Sequence, residues 1–550
     1  MMQLKDIRIV EADVLVLGGG LAGHRAAAAA RRSGASVALA YHARGASPHI
    51  IGFNVPLGDA DQRDSPDAYY EDMVRGGYAL NERRLVRALT DGAKLALAEL
   101  DAIGVPFARN GEKFAQRHLS GNTYARSVYH PNGIGRLALE RLIGYCKEIG
   151  VQAYSGWRAI ALLRDGADVV GALLVKRNTR ELLAIHAGAT VLATGGIGAI
   201  YADSTYPADV AADSYAFAFD AGATLIDMEF VQFEPTVVVH PGGCKGMEMP
   251  TAMFGDGAHL LNSNGERFMF RYNPGHGEMQ IEKAKMSLCI QREIDEGRGL
   301  PDHSVLFDTT TMPADRLESY VSHCKRLRAA GLDPATSAPH VRPAAHSHMG
   351  GALIDERTFT GVPGLFAAGE AAGGVHGASR IAGNGASDVI VFGGIAGKAA
   401  ASQRLDIAGR QWQRVHDQAL QALRRAQERT GELRPEEVKI AVREILLEAA
   451  GLYRSEGTLA RGASRLEELQ QRMDEGMALD GLGDSVRALE AANMVLVARM
   501  IVATARERRE SRGAHQRTDF AERDDANWLR HTGIKKDETG AIALESVPLR

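Results

Sequence analysis

Residues 13–17, DVLVL, form a short apolar run that stops at Gly18, and the Ala-rich stretch HRAAAAARRSG follows before a second apolar run, SVALA. This order predicts strand, glycine turn, helix and strand, the opening unit of a doubly wound α/β sheet. From about 60 to 150 apolar residues recur at helical spacing, as in RRLVRALTDGAKLALAELDAIG and GRLALERLIGYCKEIG. Residues 158–194 alternate as β-hairpin material, with Asp165 and Gly166 carrying the turn. Between 225 and 350 strands and helices mix without a glycine repeat of the first kind, which suits an inserted second domain. Strand and turn signals return at 352–368, and from about 408 to 510 Ala, Leu, Glu and Arg at helical spacing predict a helical bundle. The polar tail after 530 reads as extended, and no internal repeat is present.

The chain has 550 residues, 45% hydrophobic and 24% charged, with a net charge of −4. That balance excludes a disordered chain, a nucleic-acid-binding surface and a polybasic membrane anchor. No run approaches 18 consecutive apolar residues and the N-terminus lacks a basic-then-apolar leader, so the expectation is a cytoplasmic protein without a transmembrane segment. Cys146, Cys244, Cys289 and Cys324 lie at least 35 residues apart, so no local iron-sulfur or zinc ligand set is available and any electron-transfer metal belongs to another chain. The 61 glycines cluster at 18–23, 195–198 and 361–397, a distribution that brings backbone close to a ligand.

Gly18, Gly20 and Gly23 match GxGxxG in the context the motif needs: a tight turn, an approach to pyrophosphate, and close helix packing. The acid expected some 20 residues later is missing, because Ala40, Tyr41 and His42 occupy its place. Further glycine turns at 193–201, with Gly195 and Gly196, and at 365–374 favour a large, permanently bound cofactor, and FAD is the obvious one.

Four blocks then carry a family resemblance: GGGLAG; ATGGIGAIY with DAGATLIDMEFVQFEPT; HSHMGGALID with GLFAAGEAAGGVHGASRIAGNGASD; and ESRGAHQRTDFAERDDANWLRHT. They resemble the flavoprotein subunits of succinate dehydrogenase and fumarate reductase, a family that includes L-aspartate oxidase and the adenylylsulfate reductase flavoprotein. The resemblance implies a Rossmann-like FAD-binding domain (1–235 and 346–405), an inserted α+β capping domain (236–345), and a C-terminal helical domain with its tail (406–550). It also implies hydride transfer between flavin and a carbon near a substrate carboxylate, and electron exchange with an iron-sulfur subunit, through which some members sit at a membrane. A stand-alone oxidase of the L-aspartate oxidase type and a catalytically altered flavin-binding protein are the alternatives.

By the same resemblance Glu370, Asp213, Asn384 and Ser387 are FAD contacts, together with Ser47 and Arg380. The histidine that tethers FAD covalently in some members is displaced, since Pro48 follows Ser47 and His49 is one place late, so noncovalent FAD is expected. His346 and Arg380 match the pair that binds one substrate carboxylate, a guanidinium giving two parallel donors and an imidazole a third. The other end departs from the pattern. FVQFEPT puts Glu234 where a histidine would hold a second carboxylate, Phe254 replaces an arginine, and the proton-donating arginine falls on Leu288. A carboxylate at 234 disfavours a plain C4 dicarboxylate substrate, and the proton must come from His348, Lys285, Glu234 or a water.

Overall fold

A computed structural model describes residues 7–550 except 178, 180 and 429. The described residues form two compact units, one within 7–200, 207–230 and 348–550, the other of 201–206 and 231–347. The expected doubly wound FAD-binding fold, α+β insertion and C-terminal helices are all present.

In the first unit β1 (Ile7–Leu17) leads through a glycine turn into α1 (Leu21–Arg32) and β2 (Val37–Tyr41). The strands β3 (Gln152–Ser155), β4 (Trp157–Asp165), β5 (Asp168–Lys176) and β6 (Leu182–Leu192) complete a sheet of order β3-β2-β1-β6-β5-β4, with Leu365–Ala367 also paired to β6. β2, β1 and β6 run parallel, Val14 beside Val37 and Leu17 beside Leu192, whereas the β4–β5 hairpin is antiparallel and turns at Gly166. β6 is buried along its whole length, as an inner strand covered on both faces must be. α1 is buried from Leu21 to Ala30 because its alanines let another helix, Asn384–Ser402, come close. A Cβ on Gly397 would stand 2.0 Å from the Ala26 carbonyl oxygen, so glycine is the residue that permits this packing.

The helix Trp412–Glu428 lays Val415, Leu420 and Leu423 on Leu163, Val170 and Leu173 of the hairpin. The helix Leu482–Glu507 is long and apolar enough to cross a membrane, but 61% of its apolar window is buried among the elements around it, as in a core helix. The tail differs from its expected extended form: His531–Lys536 and Ile542–Val547 make a hairpin whose first strand pairs with Leu225–Ile226. Alternation in TGIKKDETGAIALESV carries that hairpin, with Gly540 at positive φ in its turn.

The second unit is built on a four-stranded sheet in which β7 (Val231–His240) lies beside a strand ending at its border (His340–His348), followed by Val305–Asp308 and His259–Leu261. Its core is rich in sulfur: Met247, Met249, Met253, Met269, Met286, Cys244 and Cys324 pack around Phe254, Phe268 and Phe307. Methionine fills such irregular space readily. α2 (Lys283–Glu293) packs on β7, its Ser287 hydroxyl donating to the Phe233 carbonyl at 3.1 Å.

Candidate active site

The glycine turn is a cradle defined by missing side chains. Gly18 has φ +132°, and a Cβ there would stand 2.0 Å from the Ala193 carbonyl oxygen, where the second glycine cluster begins. A Cβ on Gly23 would meet the Gly18 carbonyl oxygen at 2.0 Å, so β1 and α1 join at backbone contact distance. Gly20 caps α1 without a side-chain bond, and its open side faces the Ser47 hydroxyl, which accepts from Leu21 N at 2.9 Å. Gly195, at φ +83°, packs on Val210, and a Cβ on Gly196 would strike the Glu370 carboxylate. The first unit therefore gathers Gly18, Gly20, Gly23, Ser47, Gly195, Gly196 and Glu370. A helix start whose Leu21 N–H meets only the Ser47 hydroxyl, glycines whose side-chain space is closed, and a buried His42 Nε2 that makes no hydrogen bond among the described residues make a set that fits the pyrophosphate and ribose of a dinucleotide.

Glu370 Oε1 accepts from His348 N at 2.7 Å, and the Tyr215 hydroxyl donates to the Glu370 carbonyl at 2.6 Å. Burial pushes the Glu370 carboxyl up to about 8, against the pull of the His348 amide and Arg380. Asn384 and Ser387 tie their segment to the rest of the unit. Asn54 Nδ2 and the Tyr69 hydroxyl both donate to Asn384 Oδ1, at 2.6 and 2.9 Å, and the Ser387 hydroxyl donates to the Asn54 carbonyl at 2.8 Å. Arg380, half-buried, precedes this segment and gives Nη1 to the Ile381 carbonyl at 3.3 Å. The Asp213 carboxylate lies in an ion pair with Arg158 at 2.8 Å and accepts from Asn493 at 3.2 Å. His348 is buried between the Tyr215 hydroxyl and the Met228 carbonyl, each 3.1 Å from a ring nitrogen, and burial lowers its pKa to about 4. It is a neutral, engaged ring at neutral pH.

In the second unit Gln232, Glu234 and Thr236 share one face of β7, two residues apart. α2 turns Lys283 toward that strand: its Nζ donates to Glu234 Oε1 at 2.6 Å and to Glu248 Oε1 at 3.1 Å. His346 joins them, with a ligating atom of Glu234, Glu248 and His346 all within 4.8 Å of one another, and its Nδ1 lies 2.9 Å from the Thr205 hydroxyl. Three such groups could ligate a metal, but the cation among them is the Lys283 ammonium. Two carboxylates against one ammonium favour holding one extra proton. Burial, reinforced by Glu248, pushes Glu234 up to about 8; against its own burial, Glu248 is held down at about 2 by Lys283 and His346. Lys283 is raised by the two carboxylates in spite of burial.

Lys285 lies on the exposed side of α2 and Leu288 is half-buried on the same helix, so the lysine brought to Glu234 is Lys283. Sequence reasoning missed Glu248 as a site residue, since it lies 14 positions after Glu234 in no motif. Its one signal is charge: a lysine near the start of an amphipathic helix that must meet a buried acid.

Fold and cradle together define an FAD-dependent oxidoreductase. A model of the FAD binding domain matches residues 13–386, and a model of the fumarate reductase flavoprotein C-terminal domain matches 439–550. The chain belongs to the flavoprotein family of fumarate reductase, succinate dehydrogenase and L-aspartate oxidase. It is 34% identical over 527 residues to a subunit of the fumarate reductase (CoM/CoB) of Methanothermobacter marburgensis, covering 94% of this chain and 96% of that one. It is 32% identical over 558 residues to L-aspartate oxidase of Streptomyces coelicolor, covering 98% and 93%. A solved quinol-fumarate reductase with menaquinol molecules superposes with a TM-score of 0.91 at 28% identity, covering 99% of each chain.

Proposed function

We propose that this flavoenzyme acts on a substrate with one carboxylate and, near the reacting carbon, a neutral polar or cationic group, and that it exchanges electrons with an iron-sulfur partner protein. The observation that carries this reading is the Lys283 ammonium held between Glu234 and Glu248. A second substrate carboxylate beside that cluster would face the ionised Glu248 carboxylate and a cation already spent on Glu248 and Glu234. That one like-charge pair, about 4 Å apart, costs about 4 kcal/mol at an effective dielectric of 20. An amino, hydroxyl or amide group meets no such cost, because Glu234 and Glu248 can accept from it.

Arg380 and His346 are the proposed ligands of the single carboxylate, Arg380 through parallel N–H donors and His346 through one more. Gly18, Gly20, Gly23, Ser47, Gly195, Gly196, Glu370, Asn384 and Ser387 are the proposed contacts of a noncovalently held FAD. When bound, FAD supplies the two-electron chemistry. Glu234, protonated at neutral pH, moves the proton that accompanies it, and Lys283 holds Glu234 in place. Asp213 and His348 take positioning roles, their polar atoms being engaged within the first unit.

The test is anaerobic mixing of the purified holoprotein with succinate, aspartate, and hydroxy and amino monocarboxylates, following the oxidised-flavin absorbance. Bleaching by an amino or hydroxy acid and not by succinate supports the reading, and rapid bleaching by succinate removes it. A stand-alone oxidase is the second reading, favoured by the full-length likeness to L-aspartate oxidase. Stoichiometric hydrogen peroxide in air with no added acceptor would favour it over an iron-sulfur partner.

A further inference from the structure

The strand β2 ends at Tyr41, and His42 stands where a strand, glycine turn, helix, strand unit ordinarily presents an acid to the ribose of its dinucleotide. Local geometry sets this position beside the cradle. Gly18 N donates to the Ala40 carbonyl at 2.9 Å, and a Cβ on Gly19 would stand 2.3 Å from the Ala43 carbonyl oxygen and 2.6 Å from the Tyr41 ring. His42 Nε2 is shut off from solvent and makes no hydrogen bond among the described residues.

The charged groups that face His42 come from three directions: Arg158 on β4, Asp213 at the start of the helix Asp213–Ala221 with Asp209 in the turn before it, and Glu490 on the helix Leu482–Glu507. Two of the acids are already spent. Asp213 pairs with Arg158 at 2.8 Å, and Glu490 pairs with Arg158 and, at 2.7 Å, with Lys439. Burial, followed by Arg158, lowers the His42 pKa, while the acids oppose. A neutral imidazole carries one donor and one acceptor, so either tautomer can pair with a hydroxyl, which is itself both.

We propose that His42 replaces the missing acid and hydrogen-bonds, through Nε2, a ribose hydroxyl of the adenosine half of FAD. The Arg158, Asp213 and Glu490 network then has a use of its own: it closes the end of β2 and holds the ring in place without supplying a ligand. This inference concerns the cofactor and is independent of the substrate reading, and its test involves no turnover.

The full-length chain, stripped of FAD, is titrated with ADP, 2′-deoxy-ADP, 2′,3′-dideoxy-ADP and FMN by calorimetry. Wild type is expected to bind ADP about tenfold more tightly than the dideoxy form, the size of one hydrogen bond to a buried group. In His42→Ala that ratio falls to within about twofold, while FMN binding is unchanged. His42→Asn, which keeps a donor and an acceptor, retains part of the ratio and serves if the alanine variant fails to fold. A ratio near one in wild type, or an undiminished ratio in His42→Ala, overturns the proposal.

Discussion

The cofactor cradle of the first unit and the polar cluster of the second are built in opposite ways. In the cradle the informative atoms are absent: Gly18, Gly20, Gly23 and Gly196 leave room where any side chain would strike a carbonyl, a hydroxyl or a carboxylate. In the cluster the informative atoms are polar groups that satisfy one another, Lys283 with Glu234 and Glu248. A cradle made by omission is rigid and tolerates one ligand shape. A cluster made by compensation can be retuned by one substitution, and that is where members of one family can part company in substrate while keeping the same cofactor.

The sharpest way to break this contrast is at Gly18. Gly18→Val puts a side chain into the Ala193 carbonyl at a φ of +132°, and the purified protein should lack the visible flavin spectrum altogether. If it retains FAD at wild-type stoichiometry, the cradle is not made by omission. Arg380→Ala should keep the flavin spectrum and lose about a thousandfold in the second-order rate constant for flavin reduction, as expected for removing a bidentate carboxylate ligand and its alignment. Retained FAD with lost reduction separates substrate binding from cofactor binding.

The cluster gives a smaller and pH-dependent effect. Glu234 has its proton at pH 7 and loses it above about 8, so the rate of substrate reduction by reduced flavin, which consumes that proton, should fall on the alkaline side of 8. Glu234→Gln should be slower by about one to two orders of magnitude and lose that alkaline limb. An unchanged limb in this variant would assign the proton to another group.

The smallest effect concerns stability. His531 lies between Asp227 Oδ2 at 2.5 Å and Glu82 Oε1 at 3.0 Å; burial disfavours its charge, but the two carboxylates prevail and raise its pKa to about 9. Its stabilisation is fully present below the unfolded value near 6.5 and is lost as pH rises through 9, on the order of 3 kcal/mol. The thermal midpoint of wild type should drop between pH 7 and 9.5 relative to His531→Gln. Parallel curves for the two proteins would remove this linkage.

Periodicity and glycine spacing make the first unit legible, because strand, turn and helix each impose a local pattern and Gly18, Gly20 and Gly23 sit within one turn of each other. The C-terminal motif ESRGAHQRTDF is visible as a block, but its role is not. Glu510, Arg512, His515 and Arg517 are all buried, Arg512 pairing with Glu510 at 2.7 Å and Arg508 with Glu510 at 3.0 Å, so these side chains bind the first unit together and are no docking face. The polar cluster escapes the sequence for a different reason. Glu234 and Lys283 are 49 positions apart and Glu248 and Lys283 are 35 apart, so only the folding of α2 onto β7 shows that the acid at 234 is compensated. The closing hairpin at 531–547 reads as a polar tail because the charged run KKDE interrupts its alternation and its partner, Leu225–Ile226, is some 300 residues away.

Lys283, committed to Glu234 and Glu248, leaves no free lysine or arginine in that cluster for a second carboxylate among the described residues. The most direct measurement is the ratio of anaerobic flavin-reduction rate constants for the best amino or hydroxy monocarboxylate and for succinate, taken on the same holoprotein at pH 7. The expected ratio is at least about a hundred in favour of the monocarboxylate, set by the cost of a second negative charge beside Glu248. A ratio of one or below would contradict it.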